Sequence, residues 1–411
     1  MKHVIVGSGV AGVTAAQGIV RADPAAEVYV LGAEPYPYYR RPRLWEFIAG
    51  QVERDELYFR PADWYAGRGI QLHLGLQVSS LDTATHRLIL ADGSTVEYER
   101  LLLATGARPF MPPCEGADRD GVFTLRTLDD ALAIRTYAQD VSTAVVVGGG
   151  LLGLETARAL RTAGLSVTVV EFAPHLLPRQ LDAEGAEVLQ SLLEAQGLRI
   201  VTSGATEAVL GDGRASGIRL KDGRMLPGEL VLFSTGIRSE VSLAQAAGLK
   251  VKRGIVVDGQ LRTRRAEGHP AEDIFAAGDV AEFEGQVYGI IPAAIEQARV
   301  AAANMVSPGS AVYTGTLPAT KLKVAGAELA SLGESVSEDA ACLQLRHADL
   351  PAGHYRKFVL RGGRVVGAIL LNDEARVRPI AQLIERGVDV SVHADHLSDD
   401  DFDLELLLRE T

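Results

Sequence analysis

One segment of this 411-residue chain occurs twice, and the repeat constrains the fold more than any other feature. The stretch HVIVGSGVAGVTAA, which begins at His3, recurs as AVVVGGGLLGLETA from Ala144. Each copy joins a β-branched run typical of a buried strand, a glycine-rich turn and the apolar spacing of a helix. Downstream, LLLATGARP (101–109) is matched by VLFSTGIRS (231–239). The repeat predicts an α/β protein with two copies of one nucleotide-binding unit.

The turn in each copy has the spacing GxGxxG after a strand and at the start of a helix. In the first copy, Gly7 permits the tight turn, Gly9 lets the backbone approach a pyrophosphate, and Gly12 lets helix and strand pack closely. The second copy repeats the pattern at Gly148, Gly150 and Gly153. A tight turn without a ligand is the alternative. The strand–helix context and the duplication favour two dinucleotide sites.

Acidic residues near strand ends indicate how each ligand is recognised. Glu171 ends the next strand of the second copy, where a carboxylate binds ribose hydroxyls and repels a 2′-phosphate, so NADH is favoured over NADPH. Glu34 lies near the corresponding place in the first copy and either reaches a ribose or is a solvated loop residue. Gly278 ends the strand-like DIFAAG and Asp279 follows it, and this carboxylate suits the hydroxyls of an extended ligand. The helix predicted over 292–306 places free amides where negative charge accumulates on a reduced ring.

The overall composition excludes several classes of protein. A net charge of −12 argues against a strongly basic nucleic-acid binder. The two cysteines, Cys114 and Cys342, form no CxxC motif, disulfide framework or zinc cluster. His175, His269, His393 and His396 show no metal-ligand spacing with acids or cysteines. Redox chemistry therefore needs a bound cofactor. We find no apolar stretch of the ~20 residues that a membrane span requires, and we expect a cytoplasmic protein.

The last hundred residues predict a third, smaller α/β domain. They follow the turn-forming segment SPGS at 307–310, which marks a boundary. They combine strand-like runs over 355–371 with an amphipathic helix over 375–387. Within the two copies, the Asp-Gly pairs at 92–93 and 222–223 predict the turns of β-hairpins.

The ordered motifs GSGVAG, LLLATGARP, GGGLLGLE, VTVVE, FSTGIRS and IFAAGDVAEF resemble those of the pyridine nucleotide-disulfide oxidoreductase superfamily. The segments 34–50 and 317–334 narrow the resemblance to NADH:rubredoxin reductases and the flavin portion of NADH-nitrite reductases. The resemblance implies a glutathione-reductase-like fold with two Rossmann-like domains and a small C-terminal α/β domain. The implied division is an FAD-binding domain over 1–112 and 239–311, an NAD(H)-binding domain over 113–238 and a rubredoxin-reductase-like domain over 312–411.

The resemblance also implies which residues bind each cofactor. The first site would hold FAD and the second NADH. Beyond the glycines of the two motifs and the acids Glu34 and Glu171, the implied cofactor-binding residues are Thr105, Gly106, Gly278, Asp279, Ala293 and Gly236. Glu155 is the implied catalytic residue, paired beside flavin N5 with Arg41 or Arg43, between which the spacing does not choose. A surface helix glutamate is the alternative for Glu155.

One departure from the family bears on the chemistry. Disulfide reductases and peroxide- or oxygen-reducing relatives carry redox cysteines on the helix that here contains Arg43, Trp45 and Phe47, and this chain has none there. A dithiol relay and a sulfenic acid cycle are therefore impossible at that helix, which leaves electron transfer through flavin alone.

The predicted function is FAD-dependent transfer of electrons from NADH to a small redox protein of the rubredoxin or ferredoxin type. Alternatives are an NADH oxidase that forms peroxide and a flavin-dependent redox-sensing protein. Arg40, Arg41 and Arg43 form a cationic rim for an acidic carrier, neutralise a pyrophosphate, or line a solvated loop, and the sequence leaves all three readings open.

Overall fold

The computed structural model describes residues 1–317, 319–324, 327–337, 339–399 and 402–409. The chain forms two compact units, and each copy of the repeat lies in its own unit. The first unit comprises Met1–Arg43, Glu53–Arg108 and Ile237–Thr316. The second unit comprises Leu44–Val52, Pro109–Gly236 and Leu317–Thr411. Residues 44–52, which the predicted division includes in the FAD-binding domain, thus group with the second unit. The three predicted domain boundaries stay a prediction.

The first unit is built on an eight-stranded sheet whose central strands are parallel. In spatial order the strands are Ala281–Phe283, Ile255–Val257, Arg262–Arg264, Pro270–Ala276, Arg100–Leu103, Lys2–Val6, Glu27–Leu31 and Ile70–His73. Lys2–Val6 pairs in parallel with both of its neighbours, and its residues Val4 and Ile5 are fully buried, as the β-branched run predicts.

The helices of the first unit cover this sheet. Helix Val10–Ala22 packs against helix Ile291–Val306, and Gly18 allows the close approach because a Cβ there would lie 2.9 Å from the Ala302 Cβ. The shorter helices are Arg54–Leu57, Ala62–Ala66, Ser242–Ala246 and a 3₁₀ turn at Arg41–Arg43. A separate antiparallel sheet contains Val78–Asp82, Arg87–Leu90 and Thr95–Glu97, and a pair of short strands joins Ala107–Pro109 to Ile237–Ser239.

The second unit contains a five-stranded sheet that is parallel throughout. Its order is Arg199–Val201, Ser166–Val170, Thr143–Val147, Leu230–Phe233 and Val122–Thr124. The accompanying helices are Leu44–Ile48, Leu128–Tyr137, Leu151–Thr162 and Ala183–Ala195, with a 3₁₀ turn at Ala138–Asp140. An antiparallel sheet of Thr206–Leu210, Gly217–Leu220 and Met225–Pro227 lies beside them. The predicted α/β class is confirmed by the parallel strands at the centre of the first sheet and throughout the second.

The C-terminal part of the second unit is a five-stranded antiparallel sheet. Its order is Ala319–Val324, Ala327–Gly333, Arg364–Leu371, His354–Arg361 and Leu343–Asp349. Helix Glu374–Arg386 packs on strand Arg364–Leu371, and a 3₁₀ turn Ser391–His396 and helix Glu405–Arg409 follow. Of the segment 317–334 that carries part of the resemblance, residues 318, 325 and 326 lie outside the described residues.

Helix Leu44–Ile48 joins the second unit through packing of its own side chains. It contacts helices Leu128–Tyr137 and Leu151–Thr162 and buries Leu44, Phe47 and Ile48. The guanidinium of Arg135 lies 4.6 Å from the Phe47 ring centroid, and that of Arg158 lies 5.8 Å from the Trp45 ring centroid. These contacts hold Glu46, on the same short helix, next to helix Leu151–Thr162.

Candidate functional sites at the two glycine turns

The glycine turn of the first unit has a backbone that only glycine satisfies at two positions. Gly7 has a φ of +117°, and a Cβ there would lie 2.1 Å from the carbonyl oxygen of Ala104. A Cβ on Gly12 would lie 1.9 Å from the carbonyl oxygen of Gly7. At Gly9, by contrast, a Cβ would meet nothing within 4 Å, so the protein itself does not require glycine there. The open space lies at the N-terminus of helix Val10–Ala22, where an anionic group is favoured.

The second unit repeats this geometry almost atom for atom. Gly148 has a φ of +120°, and a Cβ there would lie 2.2 Å from the carbonyl oxygen of Ser234. A Cβ on Gly153 would lie 2.0 Å from the carbonyl oxygen of Gly148, and a Cβ on Gly150 would again meet nothing. Both turns therefore present an uncrowded backbone at a helix N-terminus, which fits the pyrophosphate of a dinucleotide.

The threonine of each Thr-Gly pair makes a hydrogen bond to the backbone of its own unit. Thr105 Oγ1 donates to the Glu240 carbonyl at 2.7 Å, and Thr235 Oγ1 donates to the Phe110 carbonyl at 2.5 Å. Gly106 and Gly236 adopt positive φ values of +72° and +104°. The cofactor-binding roles of Thr105, Gly106 and Gly236 stay predictions.

In the first unit, Gly278 and Asp279 lie beside the start of helix Ile291–Val306. Gly278 has a φ of +86°, and its N–H donates to the buried Gln297 side chain at 2.8 Å. The Asp279 carbonyl accepts from Ser239 Oγ at 2.7 Å. Ala293, in the first helical turn, is fully buried. The turn is thus held from both sides by polar contacts that leave the Asp279 backbone in a defined position.

Glu34 and Arg41 form an ion pair in the first unit. Arg41 Nη2 lies 2.5 Å from Glu34 Oε1, and the Tyr39 hydroxyl donates to Glu34 Oε2 at 2.5 Å. Burial opposes the charge of Arg41, but its interactions with Tyr39 and Glu34, and to a smaller extent with Asp279, together raise the pKa of its guanidinium. The structure thus joins Glu34 to Arg41, and Arg43 donates to the Glu56 carbonyl at 3.3 Å. The predicted pairing of Glu155 with Arg41 or Arg43 stays a prediction.

Glu171 reaches back to the glycine turn of the second unit. Its Oε2 accepts from the Gly149 N–H at 2.6 Å, and its Oε1 accepts from the Ala173 N–H at 2.7 Å. An ionised carboxylate offers about four lone-pair positions, so two remain for ribose hydroxyls. The following residue, Phe172, is 77% exposed and offers no cation to a 2′-phosphate.

Glu155, the fifth residue of helix Leu151–Thr162, has a neighbour that the sequence did not suggest. Burial and the charge of Glu46 on helix Leu44–Ile48 raise the pKa of Glu155 to about 7, with burial the larger cause. Glu155 is half-buried, and a carboxyl in this state gains and loses its proton near neutral pH.

The comparisons with known proteins decide the family. A family model described as pyridine nucleotide-disulphide oxidoreductase matches residues 1–303. The chain belongs to this family. A second model, the rubredoxin NAD+ reductase C-terminal domain, matches residues 318–388. The family resemblance drawn from the motifs is therefore confirmed.

Individual relatives cover the whole chain. It is 36% identical over 391 residues to the NAD(P)H nitrite reductase of Bacillus subtilis (strain 168), an alignment that covers 94% of this chain and 48% of that protein. It is 30% identical over 413 residues to the ferredoxin–NAD(+) reductase component of the biphenyl dioxygenase system of Paraburkholderia xenovorans (strain LB400), covering 98% of each. The covalent putidaredoxin reductase–putidaredoxin complex superposes with a TM-score of 0.88 at 29% identity, covering 100% of this chain and 98% of that one. The chain spans about half the length of the nitrite and nitrate reductase relatives.

The first unit also contains a cleft of about 490 Å³ between its two long helices and the segment around Arg40. Its apolar floor includes Val10, Ile295 and Phe59. Four arginines line it, namely Arg21, Arg40, Arg43 and Arg299, and its lining residues include no carboxylate. We call this cavity the arginine cleft. Of the predicted cationic rim, Arg40 and Arg43 line this cleft, whereas Arg41 pairs with Glu34.

The described part of the chain lacks two kinds of feature. No helix there is long and apolar enough to cross a membrane. No group of three or more His, Cys, Asp or Glu side chains suited to a metal ion occurs among those residues.

Sequence reasoning missed Glu46, Arg21 and Arg299. Glu46 lies in a segment that contributes to the family resemblance and lacks cysteine, but no periodicity there indicates that Glu46 lies next to Glu155. Arg21 and Arg299 lie near the ends of two helices that are far apart in sequence, so only their packing reveals a shared cleft.

Proposed function

We propose that this chain is an FAD-dependent NADH:acceptor oxidoreductase that passes electrons to a small acidic redox protein of the ferredoxin or rubredoxin type. The observation that carries the proposal is the pair of glycine turns with matching geometry, one in each unit, of which the second has Glu171 hydrogen-bonded to its own backbone. Two such turns in one chain suit two dinucleotides, the cofactor and the electron donor.

The first turn is the proposed FAD site. The space at Gly9 admits the pyrophosphate, and Asp279 with the N-terminus of helix Ile291–Val306 suits the rest of an extended ligand. Arg41, kept charged by Glu34, adds a fixed positive group to this unit. Bound flavin supplies the chemistry that side chains lack, since it takes a hydride from NADH and releases electrons one at a time.

The second turn is the proposed NADH site. The free lone pairs of Glu171 accept from the ribose hydroxyls, while its contact with Gly149 fixes the carboxylate beside the turn. Its negative charge opposes a 2′-phosphate, and the exposed Phe172 does not compensate. This arrangement favours NADH as donor.

Glu155 is the proposed catalytic residue, and its pKa of about 7 suits a group that holds or releases a proton during turnover at neutral pH. No thiol is needed. Both cysteines are free, and neither is on helix Leu44–Ile48. Cys114 Sγ instead lies 3.5 Å from the Glu207 carbonyl oxygen, and burial raises the pKa of this thiol. A thiol held in this way is a weak nucleophile.

The arginine cleft is the proposed docking surface for the carrier. A protein with a net charge of −12 repels an acidic partner at long range, whereas the arginines that line the cleft attract it at close range. The apolar floor supplies the contact area that charge alone does not.

The test is steady-state oxidation of NADH with single acceptors: ferredoxin, rubredoxin, cytochrome c and oxygen. We expect turnover with an acidic iron–sulfur protein or rubredoxin to exceed turnover with oxygen at least tenfold. Equal rates with oxygen alone and with every carrier would replace the proposal with an NADH oxidase. Flavin that is reduced by NADH but turns over with no acceptor would indicate a redox-sensing protein.

A further inference from the structure

Asp182 joins the nucleotide-binding part of the second unit to its C-terminal sheet. Its carboxylate caps helix Ala183–Ala195 by accepting from the Gly185 N–H at 3.1 Å. The same carboxylate pairs with Lys357 Nζ at 3.0 Å. It also accepts a hydrogen bond from the Tyr355 hydroxyl, which lies 2.9 Å from Asp182 Oδ1 and 2.8 Å from Asp182 Oδ2. Tyr355 and Lys357 are on strand His354–Arg361 and are 0% and 2% exposed.

The burial of Lys357 makes this contact more than a surface ion pair. A buried ammonium group needs a counter-charge, because removing one partner leaves an uncompensated charge in a low-dielectric environment. Its bonds to Lys357, Tyr355 and Gly185 lower the pKa of Asp182 against the effect of its own burial, so the carboxylate is ionised at neutral pH. The helix N-terminus also fits tightly here, since a Cβ on Gly185 would lie 2.9 Å from the Tyr355 ring.

The loop that precedes Asp182 in the chain packs against the second glycine turn. The loop begins after Glu171 and ends at Asp182. At its centre Leu177 has a φ of +50° and donates its N–H to the Gly149 carbonyl at 3.2 Å. The Leu181 N–H donates to the Leu177 carbonyl at 2.9 Å, and Leu176, Leu177 and Leu181 are all buried. A Cβ on Gly149 would lie 2.6 Å from Leu176 Cδ2, so loop and turn are in direct contact.

We propose that Asp182 is a positioning residue for NADH binding, and that Lys357 and Tyr355 of the C-terminal sheet hold the loop 172–181 against the glycine turn through it. The C-terminal domain then helps to shape the NADH site, in addition to any contact that it makes with an electron carrier. Asp182 itself touches no nucleotide. The inference rests on the proposed function of the second turn as the NADH site.

The kinetic test separates binding from turnover. Lys357→Met leaves Asp182 without its buried cation, and we expect the KM for NADH to rise about tenfold while kcat at saturating NADH stays within about twofold. The double variant Asp182→Asn with Lys357→Met removes the uncompensated charge but also lacks the ion pair, so we expect its Tm to recover toward the wild type while its KM for NADH stays raised. Arg346→Met is the control. Arg346 lies 3.6 Å from Asp182 but is 47% exposed, so its loss should leave the KM unchanged.

A second measurement needs no turnover. Arg179 is exposed in the loop, so the rate of tryptic cleavage after it reports on how firmly the loop is held. We expect cleavage of the holoprotein to be about tenfold faster in Lys357→Met, and saturating NAD⁺ to slow this cleavage. If Lys357→Met does not fold, Tyr355→Phe removes only one hydroxyl and should raise both the KM and the cleavage rate about threefold.

The outcomes distinguish the two proposals. Variants that unfold at lower temperature but keep the wild-type KM and cleavage rate would overturn the positioning role and leave Asp182 as a purely structural contact. A wild-type protein that does not bind NADH would overturn the proposed function instead. In that case cleavage at Arg179 would still show whether Lys357 holds the loop.

Discussion

The carboxylate of Glu171 accepts a hydrogen bond from the N–H of Gly149 at 2.6 Å, so the acid that ends one strand is fixed to the glycine turn that follows another. In the proposed NADH site, ribose recognition and pyrophosphate binding would therefore depend on the same element of the second unit. A change at Glu171 should accordingly alter both nucleotide affinity and nucleotide choice.

Glu171→Ala should lower kcat/KM for NADH about 10–100-fold, because hydrogen bonds to a charged group contribute ~1.5–3 kcal/mol. The loss for NADPH should be smaller, since removing the carboxylate also removes its repulsion of the 2′-phosphate. Glu207→Ala is the control, because Glu207 pairs with Arg219 on the half-exposed antiparallel sheet of the same unit. Wild-type enzyme that used both donors equally well would show that another residue sets the preference.

Gly9→Val and Gly150→Val form a matched pair of variants. A Cβ meets no protein atom at either position, and both residues have ordinary extended backbone with φ of −77° and −80°, so valine should not disturb the fold. Gly9→Val should abolish FAD binding and give colourless protein. Gly150→Val should remain yellow but lose flavin reduction by NADH. The flavin absorbance of each purified variant and its bleaching by NADH test the assignment, which a yellow Gly9→Val protein would contradict.

The stability of the holoprotein should depend on pH through Glu155. Its pKa of about 7 in the folded state exceeds the ordinary value of 4.5, so the unfolded chain releases this proton first. The contribution of Glu155 to the free energy of unfolding is therefore lost as pH rises from about 4.5 to 7. Glu155→Gln carries no charge and should exceed the wild type in Tm by an amount that grows over this interval and is constant above pH 8.

Two further variants test whether the raised pKa of Glu155 causes this pH dependence of Tm. Glu46→Gln removes the neighbouring carboxylate and should move the interval in which Tm falls to lower pH. Glu187→Gln, at an exposed position of helix Ala183–Ala195, should give a Tm difference that does not vary with pH. A constant difference for Glu155→Gln as well would mean that Glu155 ionises normally.

Carrier-dependent turnover should depend on Arg40. At limiting carrier the rate should fall as ionic strength rises, because the attraction between exposed charges is screened beyond a Debye length of ~8 Å at physiological salt. Arg40→Glu should slow association about tenfold and flatten the salt dependence, while flavin reduction by NADH stays unchanged. Lys252→Glu makes the same charge change at an exposed position outside the cleft and should have little effect. Equal behaviour of the two variants would place docking elsewhere.

Part of this structure could be predicted from the sequence, because it depends on the conformational preferences of neighbouring residues. The two glycine turns follow from the strand–turn–helix pattern, and the Asp-Gly pairs at 92–93 and 222–223 lie in hairpins whose glycines have φ of +84° and +88°. Helix Ile291–Val306 begins within one residue of the predicted start, since Pro292 suits a first turn. These features depend on residues close together in the chain, which is what a sequence pattern records.

Tertiary packing decided which charged groups meet. Glu46 and Glu155, Asp182 and Lys357, and Arg21 and Arg299 are each more than a hundred positions apart, and no spacing in the sequence links them. Their proximity follows from how a short helix packs on a longer one, how a C-terminal strand meets a helix N-terminus, and how two helices lie side by side. Because burial and neighbouring charge set the pKa and the partner of an ionisable group, the sequence determined which acids and bases are available, and the fold determined what each of them does.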